Sequence, residues 1–74
     1  MFRFTTTDQA AAVAAVRALH DQGHAATLVS DEQQTRWAAV NLDHPHTVAD
    51  TLTDLGWSLD AAHREAARLI RRGY

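Results

Sequence analysis

Histidine is the residue type with the clearest capacity for chemistry in this sequence, since five of the 74 residues are His. His44 and His46 flank Pro45 directly after Asp43, which brings two imidazoles close together. Imidazole is a common metal ligand, but a structural zinc site normally takes four ligands, and no spacing in this chain gathers four. We therefore interpret these side chains as solvated loop and helix-end histidines. A metal-binding module built on His44 and His46 is the alternative.

The cationic side chains are all arginine, and four of the seven lie close to the end of the chain. Their i, i+4, i+7, i+8 spacing places them on one helix face, with a tyrosine just beyond it: Arg64, Arg68, Arg71, Arg72 and Tyr74. A solvated face that complements the helix dipole explains them most simply. Weak nucleic-acid binding is the alternative. The net charge of −2 argues against it, as does a helix start, Leu59 to Ala62, without Arg, Asn or Gln to read bases.

The sequence does not indicate a catalytic centre. It contains no cysteine and no lysine, which excludes disulfides, thiolate zinc sites and a Schiff-base lysine. The serines are Ser30 and Ser58, and Gly-Trp-Ser-Leu-Asp around Ser58 does not match the Gly-x-Ser-x-Gly nucleophile elbow. A chain this short also has little volume for a concave pocket. We therefore predict a protein that is not an enzyme and takes no cofactor.

The first half of the chain has the pattern strand, helix, strand, strand. Phe2 and Phe4 alternate with polar residues, as in a half-buried strand. Thr6 as N-cap and Gln9 at N3 predict a capping box for a helix that ends at Gly23. Residues 24–30 and 35–42 are then two strands, joined by a polar hairpin loop.

Two helices complete the predicted fold. Thr47 is the expected start of the first, although Pro45 also suits a turn or a first helical position. Gly56 ends this helix, and Ser58 caps the second, which runs to about Arg72 and buries Leu59. The β-α-β-β-α-α order predicts a single α+β domain over residues 1–74. Its small three-stranded sheet would be a truncated ferredoxin-like plait, with the helices packed on one face.

Trp37 is the strongest candidate for contact with a partner. Its strand face carries Ala39 and Asn41, whereas the opposite face is uniformly apolar and is the predicted core side. Trp37 would then lie on an open sheet face beside an unprotected edge, and Trp is enriched at interface hot spots. The alternative is that helices cover both faces. The strand order with a Trp on the third strand resembles the layout of the ribonuclease E inhibitor B family, but no motif matches residue by residue and no function is carried over.

These observations favour a small non-enzymatic interaction or regulatory accessory protein, of a phage type or from a GC-rich bacterium. It would bind another protein, or itself as a homo-oligomer, through Trp37, the four arginines and Tyr74, with nucleic acid disfavoured. No apolar run approaches the ~18 residues of a membrane span. The N-terminus lacks the pattern of a signal peptide. We therefore expect a cytoplasmic protein with no membrane partner.

Overall fold

The computed structural model describes residues 5–72, which form three helices and two strands. In chain order these are α1 Gln9–Asp21, β1 Ala26–Ser30, β2 Trp37–Asn41, α2 Pro45–Asp54 and α3 Leu59–Arg71. The prediction of an α+β domain is confirmed at this level. Across residues 5–72 the sheet has two strands, so the three-stranded sheet and the ferredoxin-like plait are not shown. The predicted strand with Phe2 and Phe4 lies outside the described residues.

The two strands form an antiparallel hairpin. Thr27 pairs with Val40 and Val29 with Ala38, and residues 31–36 form the loop between the strands. On the other side of β2, Thr6 makes an isolated antiparallel bridge to Trp37. The two backbone bonds of this bridge measure 2.9 and 2.8 Å. Thr6 and β1 therefore lie on opposite sides of β2.

The two faces of the hairpin contact different helices. Val29, Ala38 and Val40 belong to the main core cluster, which otherwise consists of residues from 42 to 69. α1 packs on both strands but contributes no residue to that core cluster. Gln9, at the start of α1, lines a crevice with Leu28, whose side chain lies on the sheet face opposite the core. The layers are therefore α1, sheet and the α2–α3 pair. The prediction that all helices pack on one face is wrong, because the second face also carries apolar side chains that α1 covers.

The predictions that Gly23 and Gly56 end their helices are confirmed, and both glycines have the same backbone geometry. Gly23 and Gly56 adopt φ values of +86° and +99°, a region that side chains with a Cβ rarely occupy. After each glycine the next amide bonds back into the last helical turn, His24 to the Leu19 carbonyl at 3.0 Å and Trp57 to the Leu52 carbonyl at 3.1 Å. This is the Schellman arrangement, which satisfies carbonyls that the helix end would otherwise expose.

Two of the three predicted helix starts differ from the structure. Asp8, not Thr6, caps α1 by accepting from the amides of residues 10 and 11, and Thr6 instead accepts from the Asp8 amide. α2 begins at Pro45, two residues before the predicted Thr47, because proline has no amide to satisfy and its φ suits the first helical position. Ser58 caps α3 as predicted, with its hydroxyl accepting from the Ala61 amide at 3.3 Å.

The core lies between β2 and the α2–α3 pair. Its largest completely buried side chains are Leu52, Val48 and Val40, so α2 is the central element of this layer. Leu59 was expected on the buried face of α3 but is 64% exposed, because it occupies the first helical position before α3 meets α2. Within residues 5–72, no helix combines the length and apolarity that crossing a bilayer requires.

Candidate partner-binding surface

The four arginines of α3 lie on its outward side. Arg64, Arg68, Arg71 and Arg72 are all exposed, whereas Ala62, Ala66 and Leu69 of the same helix are buried. At 100° per residue the two sets fall on opposite sides of the helix, as the spacing predicts. α3 packs against α2 with its apolar side, so the arginines face away from the core. Tyr74, the fifth residue proposed for this surface, lies outside the described residues.

One arginine of this face makes a two-pronged ion pair along the helix. Nε and Nη2 of Arg68 donate to Oε1 and Oε2 of Glu65 at 2.7 and 2.6 Å. The hydrogen bonds from Arg68 are the main reason why the pKa of Glu65 is lowered, and the charges of Arg68 and Arg72 act in the same direction. The same bond raises the pKa of Arg68 above its ordinary value. Glu65 therefore offsets part of the positive charge of this face.

Trp37 does not lie on an open face. Its side chain is half-buried and lines a crevice with Gln9, Leu28 and Gln34, beneath the start of α1. Its backbone pairs with Ser30 on one side and with Thr6 on the other. An open sheet face at Trp37 was one of two alternatives from the sequence, and the structure favours the other, in which a helix also covers this face, since α1 packs on both strands.

The histidines are spread over the described residues. His44 precedes α2 without a side-chain capping bond, and His46 lies in the first turn of α2. His46 lines a groove between α2 and α3 together with His63, above a floor that includes Ala49 and Ala66. Residues 5–72 contain no group of three His, Cys, Asp or Glu side chains placed to hold a metal. The pair proposed as metal ligands, His44 and His46, therefore has no third ligand in this part of the chain.

Asp31 is a buried carboxylate whose hydrogen-bond partners are local. It accepts from the Thr35 amide at 2.7 Å, from the Thr35 hydroxyl and from the Arg36 amide at 3.2 Å. The hydroxyl bond is the largest of the influences that lower the pKa of Asp31. Because every one of these bonds closes the β1–β2 loop, Asp31 fixes the turn and is not placed as an acid or base.

Sequence reasoning missed the residues that contact the outer edge of β1. The indole Nε1 of Trp57 donates to the Ser30 carbonyl at 2.9 Å, and Nε2 of His20 is 2.9 Å from the Ala26 carbonyl. Trp57 and Ser30 are 27 positions apart, so no local pattern could indicate their contact, whereas His20 and Ala26 are six apart and meet across the turn that follows α1. Gly56 was predicted to end α2, and the turn there directs Trp57 back towards the sheet.

The chain matches no family model, no curated protein and no solved structure. The resemblance in layout to the ribonuclease E inhibitor B family therefore gains no support from these comparisons.

Proposed function

We propose that this chain is a small non-enzymatic interaction protein that binds an acidic surface of another protein through the outward face of α3. The observation that carries the proposal is the segregation of charge along the chain. Residues 61–72 contain four arginines and one glutamate, a formal charge of +3. Residues 1–60 contain three arginines and eight acidic residues, a formal charge of −5, which together give the net −2.

A compact cationic face on an otherwise acidic molecule favours an oriented encounter with a partner of opposite charge. Arginine suits such a contact because its planar guanidinium can bind a carboxylate through two parallel hydrogen bonds. The Arg68–Glu65 pair has that geometry within the chain. An acidic residue of the partner would repeat it at Arg64 or Arg71, which lie on the same side of α3.

Nucleic acid is the competing occupant of the same face. The acidic remainder of the chain repels a long polyanion, whereas an acidic patch on a protein can be confined to the area that α3 covers. The first turn of α3, Leu59 to Ala62, also offers no Arg, Asn or Gln to read a base edge. These two features favour a protein partner. The cytoplasmic location and the homo-oligomer stay predictions from the sequence.

Fluorescence anisotropy with a labelled glutamate-rich helical peptide tests the proposal. The charge-reversed double variant Arg64→Glu/Arg71→Glu should bind at least about tenfold more weakly than the wild type, a loss of about 1.4 kcal/mol. The binding of the wild type should weaken as salt is added, since exposed charges are screened. Arg17→Glu is the matched control, because it reverses an exposed arginine on α1 and should change the affinity little.

Two results would contradict the proposal. The first is equal affinity of the wild type and the double variant for the peptide. The second is a tighter, equally arginine-dependent interaction of the wild type with a DNA or RNA oligonucleotide of matched charge, which would assign the face to nucleic acid.

A further inference from the structure

Within residues 5–72, the ladder geometry shows which backbone groups of β1 point towards its outer edge, the edge away from β2. The Leu42 amide donates to the Ala25 carbonyl at 2.8 Å, and the Asp31 amide donates to the Arg36 carbonyl at 3.1 Å. Bonded and non-bonded pairs alternate along an antiparallel ladder, so residues 25, 27, 29 and 31 face β2. It follows that Ala26, Leu28 and Ser30 direct their amides and carbonyls away from β2.

Two side chains from different layers already occupy the ends of this edge. His20 of α1 donates from Nε2 to the Ala26 carbonyl, and Trp57, between α2 and α3, donates from Nε1 to the Ser30 carbonyl. Within residues 5–72, the outward amide and carbonyl of Leu28, midway between them, have no such partner. An exposed strand edge is a template for pairing with another chain, and proteins commonly block it with side chains or covering elements.

We infer that His20 and Trp57 hold the β1 edge closed against the addition of an antiparallel strand from a second copy of this chain. The outward groups at 26, 28 and 30 are symmetric about Leu28. A two-fold axis would therefore place Leu28 opposite itself and Ala26 of each copy opposite Ser30 of the other. A second copy can thus pair with this edge in register, with every outward group of one copy opposite an outward group of the other.

The two side chains oppose that pairing by occupying the end carbonyls with their N–H donors. Only the central Leu28 pair would stay accessible, with one amide and one carbonyl from each copy. Two backbone hydrogen bonds do not offset the translational and rotational entropy that two molecules lose on association. Removing both N–H donors would free the backbone groups of all three outward positions and would favour a continuous sheet across the two copies.

Sedimentation velocity over a range of concentrations tests the inference with the double variant His20→Ala/Trp57→Phe. The phenylalanine keeps an aromatic ring in the half-buried site and removes the indole donor. Self-association of the double variant should be at least about tenfold tighter than that of the wild type. Exchange of the Leu28 amide in the double variant should slow as the protein concentration rises. His63→Ala, which removes a histidine from α3 and leaves the β1 edge unchanged, should associate like the wild type.

The inference would be overturned if a folded double variant associated no more tightly than the wild type. It would also be overturned if amide exchange slowed with protein concentration outside β1 instead of at Leu28. If the double variant fails to fold, hydrogen exchange of the wild-type protein tests the inference instead. The inference requires the Leu28 amide to exchange faster than the Thr27 and Val29 amides and the Trp57 indole proton to exchange slowly. A slow Leu28 amide or a fast Trp57 indole proton would refute it. These variants keep every arginine of α3, so their outcome is independent of the proposed function.

Discussion

Replacing Leu52 by alanine should remove a large share of the stability of this protein. Leu52 is completely buried in the last turn of α2 and belongs to the core cluster that β2, α2 and α3 share. The substitution deletes three carbon atoms, a transfer free energy of about 2.4 kcal/mol at ~0.8 kcal/mol per group. The cavity left behind adds to this, and buried Leu→Ala changes cost roughly 2–5 kcal/mol in total. We expect a loss of about 3 kcal/mol.

That loss is large for a chain of 74 residues, because stability of about 0.05–0.15 kcal/mol per residue gives roughly 4–11 kcal/mol in all. Leu59→Ala is the matched control, since the same atoms are deleted from a side chain that is 64% exposed. Because only about a third of this side chain is buried, about a third of the transfer free energy is lost, and the expected loss of stability is below about 1 kcal/mol.

Urea unfolding followed by far-ultraviolet circular dichroism measures both variants, with a common slope used to convert midpoints into free energies. The reasoning would be refuted if Leu52→Ala and Leu59→Ala lost similar stability, or if Leu52→Ala lost less than about 1 kcal/mol.

Three further predictions concern the turns. Gln34 has a φ of +57°, so Gln34→Gly should raise the free energy of unfolding by up to about 1 kcal/mol in urea melts, whereas Gln33→Gly should lower it. Gly56→Ala should cost about 1–2 kcal/mol in the same assay, since φ is +99° there and an added Cβ meets no atom within 4 Å. Asp31 has a lowered pKa when folded, so its contribution is present above the unfolded value near 3.9 and is lost as the pH falls through the folded value. In thermal melts from neutral to acidic pH, the melting temperature of Asp31→Asn should therefore fall less with decreasing pH than that of the wild type. An equal fall of the melting temperature in both proteins would contradict this assignment.

The parts of the fold that sequence reasoning predicted correctly are those fixed by nearby residues. Gly23 and Gly56 end their helices because a positive φ is a local requirement, and Ser58 caps α3 through an amide three residues away. At the start of α1 two capping residues compete. Asp8 takes the cap, while the backbone of Thr6 is paired with Trp37, a contact 31 positions along the chain that no local pattern contains.

The sequence left the exposure of Trp37 open for the same reason. Alternation along β2 correctly separates its two faces, since Ala38 and Val40 are in the core and Trp37 is not. It does not say what covers the second face, because that depends on which way α1 crosses the sheet. The arginine face was easier to predict, since both its spacing and its opposition to the buried face are properties of one helix.

The two association surfaces should act independently, and their separation follows from α3 itself. Trp57 precedes the N-cap of α3, whereas Arg64 lies near the middle of this helix and Arg71 at its end. At 1.5 Å per residue even the nearer arginine, Arg64, is about 10 Å from Trp57 along the helix axis. That distance exceeds the Debye length of about 8 Å at physiological salt. Opening the β1 edge should therefore leave the affinity of the arginine face for an acidic peptide unchanged, and reversing Arg64 and Arg71 should leave the oligomeric state unchanged. If either variant altered both properties, the arginine face and the β1 edge would have to form one surface.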